Sequence, residues 1–117
     1  DPEWYELSEP AAKSLTDAIT HNRRIVSVGT TSTRLLEAVY AQHDCILAGS
    51  GWADIFIYPG FRFCATNALI TNFHLPKSSL LVLVAAFGGI ELIRRAYQEA
   101  IDQRYRFYSY GDAMLIF

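Results

Sequence analysis

A polar stretch between two apolar segments concentrates the residues of this sequence that could do chemistry. Residues 71–79 read T-N-F-H-L-P-K-S-S, and an apolar run begins at Leu80. Pro76 cannot donate a strand hydrogen bond and pushes the preceding residue toward extended backbone, while Ser78 or Ser79 can cap a helix. The pattern predicts a strand end, a polar loop and a helix start. Because ligands bind at the C-terminal ends of strands in open α/β sheets, we expect a ligand site here.

Side chains in this stretch that can donate or accept protons or hydrogen bonds are Thr71, Asn72, His74 and Lys77. His74 is the best suited to proton transfer, since its unperturbed pKa lies near working pH. The alternative is a histidine whose ring locks the loop by bonding a backbone carbonyl. For Lys77 the alternative is a solvated lysine.

A second candidate site follows the short β-branched segment Ile25–Val28, which reads as a strand. Gly29, Thr30, Thr31, Ser32 and Thr33 come next, and a helical pattern then resumes. Free N–H groups and the helix dipole favour an anion at such a helix start, and Arg34 could pair with it. The sequence carries neither G-x-x-x-x-G-K-[ST] nor G-x-G-x-x-G, so an ordinary polar turn with a capping hydroxyl is the alternative.

The remaining pattern supplies elements that could position these loops. We expect a helix from Ser8 to about His21, a flexible loop over residues 44–53 and a strand over Asp54–Tyr58 that ends in a Pro59–Gly60 turn. The helix after Ser79 is apolar all round and should be buried on every side.

A helix break at Gly88–Gly89 and a last strand over residues 113–117 complete the expected elements. Alternating strands and helices predict an α/β fold, with helices packed on a mixed or mostly parallel sheet. We expect one domain over residues 1–117. The missing initiator Met and the terminal strand suggest an incomplete part of a larger α/β domain.

Composition limits the function classes. The chain is 51% hydrophobic with a formal net charge of −2, which does not favour a general nucleic-acid binder. Cys45 and Cys64 show no metal-binding spacing and are typical of a reduced, cytoplasmic protein. The apolar run from Leu80 to Phe87 is far shorter than the ~20 residues that span a bilayer, so we expect no membrane partner.

Four blocks together resemble the S-adenosylmethionine:tRNA ribosyltransferase-isomerases of queuosine biosynthesis. They are V-G-T-T-S-T-R at 28–34, D-I-F-I-Y-P-G at 54–60, T-N-F-H-L-P-K-S-S-L-L at 71–81 and Y-R-F-Y-S-Y-G-D-A-M-L-I at 105–116. They occur in the family's order and spacing. The family's chain is considerably longer, so the resemblance implies its C-terminal portion, without the N-terminal part of the main domain and an inserted β-barrel domain.

The resemblance implies an unusual reaction. The family moves the ribosyl part of S-adenosylmethionine onto 7-aminomethyl-7-deazaguanine in the tRNA wobble position and rearranges it to an epoxycyclopentane, which gives epoxyqueuosine and releases adenine and methionine. S-adenosylmethionine is then a consumed substrate, and no cofactor or metal is expected. The expected partners are S-adenosylmethionine and precursor tRNA, with a monomeric full-length protein and a fragment that is inactive and self-associates.

The same resemblance suggests roles for the polar residues. His74 is the expected acid–base residue. The expected substrate-binding residues are Gly29, Thr30, Thr31, Ser32, Arg34, Tyr58, Gly60, Thr71, Asn72, Lys77, Ser78 and Asp112. Thr71 and Asn72 suit an adenine edge or ribose hydroxyls, and Asp112 could neutralise an amine or simply form a turn. Tyr108 and Tyr110 could stack on a base or belong to the core. The alternative function is a non-catalytic nucleotide-binding or docking module.

Overall fold

The computed structural model describes residues 2–74 and 78–117, and for residues 108–110 it describes the backbone alone. Strands and helices alternate through much of the chain. In order they are β1 (Glu3–Leu7), α1 (Glu9–Thr20), β2 (Val26–Val28), α2 (Thr30–His43), β3 (Gly49–Ala53), β4 (Ala68–Phe73), α3 (Ser79–Gly88), α4 (Ile90–Asp102) and β5 (Tyr108–Ile116).

The strands form a three-stranded sheet of order β2-β4-β5 and a separate two-stranded ribbon of β1 and β3. Strand β2 runs parallel to the central strand β4, with Ser27 opposite Leu69. Strand β5 runs antiparallel to β4, with Asn72 opposite Ala113. The sheet is therefore mixed, and the expected α/β class is confirmed.

Predicted caps define the starts of two helices. The Ser8 hydroxyl accepts from the Ala11 N–H at 3.2 Å at the start of α1, and the Ser78 hydroxyl accepts from the Leu81 N–H at 3.1 Å at the start of α3. Each satisfies an N–H group that has no partner inside its helix. The predicted break is confirmed: Gly89, with φ +90°, lies between α3 and α4 in backbone that glycine adopts at low cost.

The main core lies between one face of the three-stranded sheet and helices α3 and α4. Leu69 and Phe73 of β4 and Ile116 of β5 pack there against Leu83 of α3 and Ile93 of α4, among other apolar side chains. Helix α3 was expected to be buried on every side, but only Leu83 and Val84 are fully buried in it. An apolar sequence sets what a helix can bury, whereas the neighbours present decide what it does bury.

Two strand predictions were wrong. The expected loop at 44–53 contains β3, because Gly49–Ala53 pairs in register with β1 and the Tyr5 ring packs over Gly51. Residues 54–58, where a strand was expected, belong to no strand of the described chain, although Ile57 is buried in the main core. Strand propensity alone does not decide which segment joins a sheet, because pairing needs an available partner.

None of the helices in the described chain combines the length and apolar character that crossing a membrane requires.

Candidate functional site

The two predicted loops lie side by side at the C-terminal ends of the parallel strands. Val28, the last residue of β2, is opposite Ile70 in β4. The Gly29 N–H then donates to the Ile70 carbonyl at 2.7 Å, which places the glycine loop next to Thr71. This juxtaposition of two loops at one strand end is the arrangement in which open α/β sheets bind ligands.

The glycine loop opens directly into α2. Gly29 has φ +94° and serves as the N-cap without a side-chain cap among the described residues. Thr30 is buried, whereas Thr31 and Ser32 in the first turn are exposed. The Thr33 hydroxyl bonds back to the Gly29 carbonyl at 3.0 Å. The first-turn N–H groups of α2 therefore lie at a helix N-terminus, where the helix dipole favours negative charge.

Arg34 is held firmly in this first turn. Its Nη1 donates to the Glu3 carboxylate at 2.5 Å and its Nη2 donates to the Ile55 carbonyl at 3.0 Å. The guanidinium therefore ties α2 to strand β1 and to the segment after β3. Any anion bound by Arg34 would share the guanidinium with Glu3.

Arg34 also lines a small cavity that three segments share. The cavity has a volume of about 120 Å³ and is lined by Arg34, residues 55–57, and Ser79, Leu80 and Leu83 of α3. Ser78, the cap of α3, immediately precedes the Ser79 wall. Lys77 falls outside the described residues.

The Tyr58–Gly60 turn adjoins this cavity through Phe56. The Phe61 N–H donates to the Tyr58 carbonyl at 3.0 Å, and Gly60 has φ +103°, as the predicted turn requires. Tyr58 is exposed and its ring stacks on that of Phe56, with 5.9 Å between centroids. Phe56 is itself a wall of the cavity.

His74 follows β4 directly and is half-buried. Its Nε2 lies 2.8 Å from the hydroxyl oxygen of the buried Thr71, and its backbone N–H donates to the Tyr97 hydroxyl of α4 at 2.8 Å. Burial lowers the pKa of His74 below its usual value of 6.5, because desolvation disfavours the charged ring. Neither His74 nor Thr71 is among the described residues that line the 120 Å³ cavity.

Asn72 and Asp112 lie together on neighbouring strands, and neither is among the described residues that line the 120 Å³ cavity. Asn72 Nδ2 donates to the Asp112 carbonyl at 3.3 Å, and strand alternation directs the Asn72 side chain to the face opposite Thr71. The Asp112 carboxylate accepts from the Arg106 backbone N–H at 2.5 Å and lies 3.4 Å from Arg106 Nε. This carboxylate therefore ties Arg106 to β5, and Asp112 itself lies inside that strand and not in a turn.

Glu37 of α2 is a buried residue that the sequence analysis missed. Its carboxylate accepts three backbone N–H groups, from Cys64 at 2.7 Å, Ala65 at 3.0 Å and Thr66 at 2.8 Å. These bonds fix the segment that enters β4, and so they help to place Thr71 and His74. A glutamate between Leu36 and Ala38 on the apolar side of a predicted helix was the available signal.

Tyr97 was also missed as a neighbour of the site. Tyr97 lies on the buried face of α4 with Ile93 and Ala100, where its ring meets Phe73 edge to face at 5.3 Å between centroids. Which backbone group the phenol would reach depended on how α4 crosses the end of β4. Helical periodicity carries no information on that crossing.

A further concavity lies at the N-terminal ends of the parallel strands. It has a volume of about 490 Å³ and is lined by Ile19, Asn22, Arg23, Arg24, Cys64, Ala65 and Asn67. Asn67 Oδ1 accepts from the Ile25 N–H there at 2.7 Å, which fixes the N-terminal ends of β2 and β4. This end is remote from the loops that carry the candidate chemistry.

The fold and the loops define an α/β unit whose candidate ligand site lies at the C-terminal end of a parallel strand pair. A model of the family described as "Queuosine biosynthesis protein" matches residues 1–116. The chain belongs to that family.

Named relatives and a solved structure are similar along nearly the whole chain. A protein of Symbiobacterium thermophilum named S-adenosylmethionine:tRNA ribosyltransferase-isomerase is 56% identical over 114 residues, which are 97% of this chain and 33% of that protein. A protein of Natranaerobius thermophilus with the same name is 53% identical over the same shares. The crystal structure of S-adenosylmethionine tRNA ribosyltransferase from Thermotoga maritima superposes with a TM-score of 0.92 at 46% identity, covering 97% of this chain and 40% of that one.

The chain therefore spans about a third of the length of the curated relatives that it matches.

Proposed function

We propose that this chain is part of a cytoplasmic enzyme that transfers and isomerises the ribosyl moiety of S-adenosylmethionine onto 7-aminomethyl-7-deazaguanine in tRNA. The products are epoxyqueuosine, adenine and methionine, and S-adenosylmethionine is consumed as a substrate. Family membership and the names of relatives with more than half of the aligned residues identical support the proposal.

One observation in the structure carries the proposal. Three of the four blocks that resemble the family contribute walls to one cavity: block 28–34 through Arg34, block 54–60 through residues 55–57, and block 71–81 through Ser79 and Leu80. These blocks are far apart in sequence. Their convergence on one cavity is the arrangement expected of a shared ligand site.

The chemistry assigns work to groups of the cavity wall and to His74, which lies outside that wall at the end of β4. A sulfonium acidifies the adjacent ribose carbon, so a base must remove a proton there, and adenine leaves more readily when a donor bonds its ring nitrogen. Such help is worth ~10²–10⁴-fold in rate. His74 is the side chain proposed for one of these tasks, and Arg34, Ser78 and the start of α2 are proposed to hold the anionic parts of the substrates.

The cavity is too small to be the whole site. Its volume of about 120 Å³ compares with the roughly 300–1,000 Å³ of ordinary ligand pockets. We therefore propose that the chain forms one part of a larger α/β domain, and that the rest of the full-length protein completes the pocket and supplies much of the tRNA contact. The isolated chain is then inactive, because a partial site does not hold its groups in the reactive geometry.

The test is adenine release. Full-length protein, S-adenosylmethionine and precursor tRNA are mixed and adenine is measured by chromatography, with His74→Gln as the test variant. We expect the rate to fall by at least about a hundredfold. His43→Gln, which changes an exposed histidine at the end of α2, is the matched control.

Each result has a defined meaning. Full activity of His74→Gln would remove His74 from the acid–base role. Binding of S-adenosylmethionine without any adenine from the unsubstituted protein would favour a non-catalytic nucleotide-binding module. Turnover by residues 1–117 alone would contradict the proposal that other segments complete the site.

A further inference from the structure

We propose that Thr71 is a positioning residue that holds the His74 imidazole with Nε2 as a hydrogen-bond acceptor and thereby presents Nδ1–H to the ligand. This inference rests on the proposed function for its chemical meaning. Thr71 was expected to bind substrate directly. Its hydroxyl lies 2.8 Å from Nε2 of His74, three residues along the chain, and Thr71 is only 3% exposed.

The direction of this bond follows from the hydroxyl. Thr71 is buried in the central strand, and His74 Nε2 is the hydrogen-bond partner that its hydroxyl reaches among the described residues. A buried hydroxyl proton needs an acceptor, since leaving it unsatisfied costs about 1–3 kcal/mol. A neutral imidazole has one nitrogen that accepts and one that donates. If Nε2 accepts from Thr71, Nδ1 carries the proton.

A second contact restrains the same residue from the side of the helices. The His74 backbone N–H donates to the Tyr97 hydroxyl, and the Tyr97 ring is itself packed edge to face against Phe73. The backbone of His74 is thus anchored to α4 while its ring is anchored to β4. Two anchors on different elements limit rotation of the imidazole, which is what positioning a reactive group requires.

Burial supports the neutral state that this arrangement needs. It lowers the pKa of His74, so at neutral pH the ring is mostly uncharged. A neutral ring whose Nε2 is already engaged can act toward a ligand only as a donor through Nδ1.

A proton on Nδ1 decides between the two tasks open to His74, which are removal of the ribose proton and donation of a hydrogen bond to the departing adenine. An Nδ1–H donor suits the departing adenine, because a hydrogen bond stabilises the negative charge on the base as it takes the electron pair of its bond to the ribose. The proton can stay on the imidazole, as it does where a neutral histidine acts as an electrophile, and the departed adenine anion then takes its proton from water. Removal of the ribose proton then falls to another group.

The first test reads the tautomer without any turnover. The full-length protein is labelled with ¹⁵N-histidine, and long-range ¹H–¹⁵N spectra at pH 7.5 identify which ring nitrogen of His74 carries the proton, with His74→Gln to assign the signals. We expect a protonated Nδ1 and an accepting Nε2. A protonated Nε2 would overturn the proposal, whether or not the protein proves to release adenine.

The second test uses a matched pair of substitutions in the adenine-release assay. Thr71→Val removes the hydroxyl at nearly constant shape, while Thr71→Ser retains it. We expect Thr71→Val to lower kcat at least about tenfold with KM within about twofold, and Thr71→Ser to recover most of the rate.

Other results of this pair would contradict the positioning role. Equal kcat for Thr71→Val and the unsubstituted protein would overturn it, and a rise in KM alone would restore direct substrate binding as the role of Thr71. Thermal unfolding of each variant separates loss of fold from loss of positioning, and the spectra of the unsubstituted protein decide the tautomer if Thr71→Val does not fold. If the unsubstituted protein releases no adenine, the proposed function fails while the spectra still test the tautomer.

Discussion

The two faces of the three-stranded sheet both carry apolar side chains but are covered to different extents. On one face, Leu69 is fully buried beneath the helices and Phe73 is nearly so. On the other face, Val28 is 66% exposed and Leu115 is 57% exposed, even though Leu115 lies on the strand that pairs with Leu69. A sheet strand that is apolar on both sides normally has both sides covered.

The chain's own helices bury the covered face, whereas the open face is available to pack against other parts of a longer protein. The relatives are about three times as long as the region matched here, so chain is available to cover the open face in a full-length protein. The candidate site lies at the strand ends, where the covered and the open faces meet. We propose that the segments that cover the open face also complete the pocket.

The largest expected effect comes from a matched pair of leucines on the two faces. Leu69→Ala should lower the free energy of unfolding by about 3–4 kcal/mol, because it removes a fully buried side chain and leaves a cavity. Leu115→Ala should cost less than about 1 kcal/mol in the same chain, since that side chain is already largely in water. Urea unfolding of both variants measures the contrast. Equal losses would mean that the open face is covered in solution.

Glu37 extends the comparison to a buried charge on the covered side. Glu37→Gln removes the charge that accepts three backbone N–H groups and replaces one oxygen by a donor, so we expect a loss of about 2–3 kcal/mol. Glu91→Gln is the control, because Glu91 pairs with Arg94 in full exposure and such pairs contribute little. Both are measured by urea unfolding. An unchanged free energy of unfolding for Glu37→Gln would show that the segment entering β4 is held by its apolar contacts alone.

The sequence predicted best those features that depend on neighbours along the chain. Capping serines, the Gly88–Gly89 break and the Pro59–Gly60 turn are local chemistry, and each was found where expected. Strand β3 was missed because Gly49–Ala53 has weak intrinsic strand preference and is fixed by its pairing with β1. The pairing of β3 with β1 is not visible in the sequence of β3, because a distant partner strand imposes no periodic pattern on it.

The site shows the same division. The sequence indicated the two loops separately, and only the parallel pairing of β2 with β4 brings them together. The resemblance of the sequence blocks pointed to Arg34 and His74. The engagement of Arg34 with Glu3 could not be anticipated, because it depends on β1 lying beside α2. The hydrogen bond between Thr71 and the His74 ring depends on how the chain turns after β4, and it supports the positioning role that we propose for Thr71.

A smaller effect concerns the pH dependence of the free energy of unfolding, to which the half-buried His74 at the end of β4 should contribute. The pKa of His74 in the folded chain is lowered by burial, so the folded state binds a proton less readily than the unfolded state. The stabilisation from a neutral His74 is fully present above the unfolded pKa of about 6.5 and is lost as pH falls from there through the folded pKa. His74→Gln should therefore flatten the fall in unfolding free energy between about pH 7.5 and pH 5. An unchanged slope would show that His74 is not desolvated.

The smallest effect on stability is expected on the open face, where the informative change is in association. Val28→Lys should alter the free energy of unfolding by no more than about 0.5 kcal/mol, because the side chain is two-thirds exposed. If the isolated chain self-associates through its uncovered apolar face, the added charge should shift it toward monomer in sedimentation velocity at high concentration. Gln42→Lys adds the same charge on an exposed position of α2 and should leave association unchanged. A strictly monomeric unsubstituted chain would contradict self-association, and an equal response to both lysines would assign it to net charge instead of the sheet face.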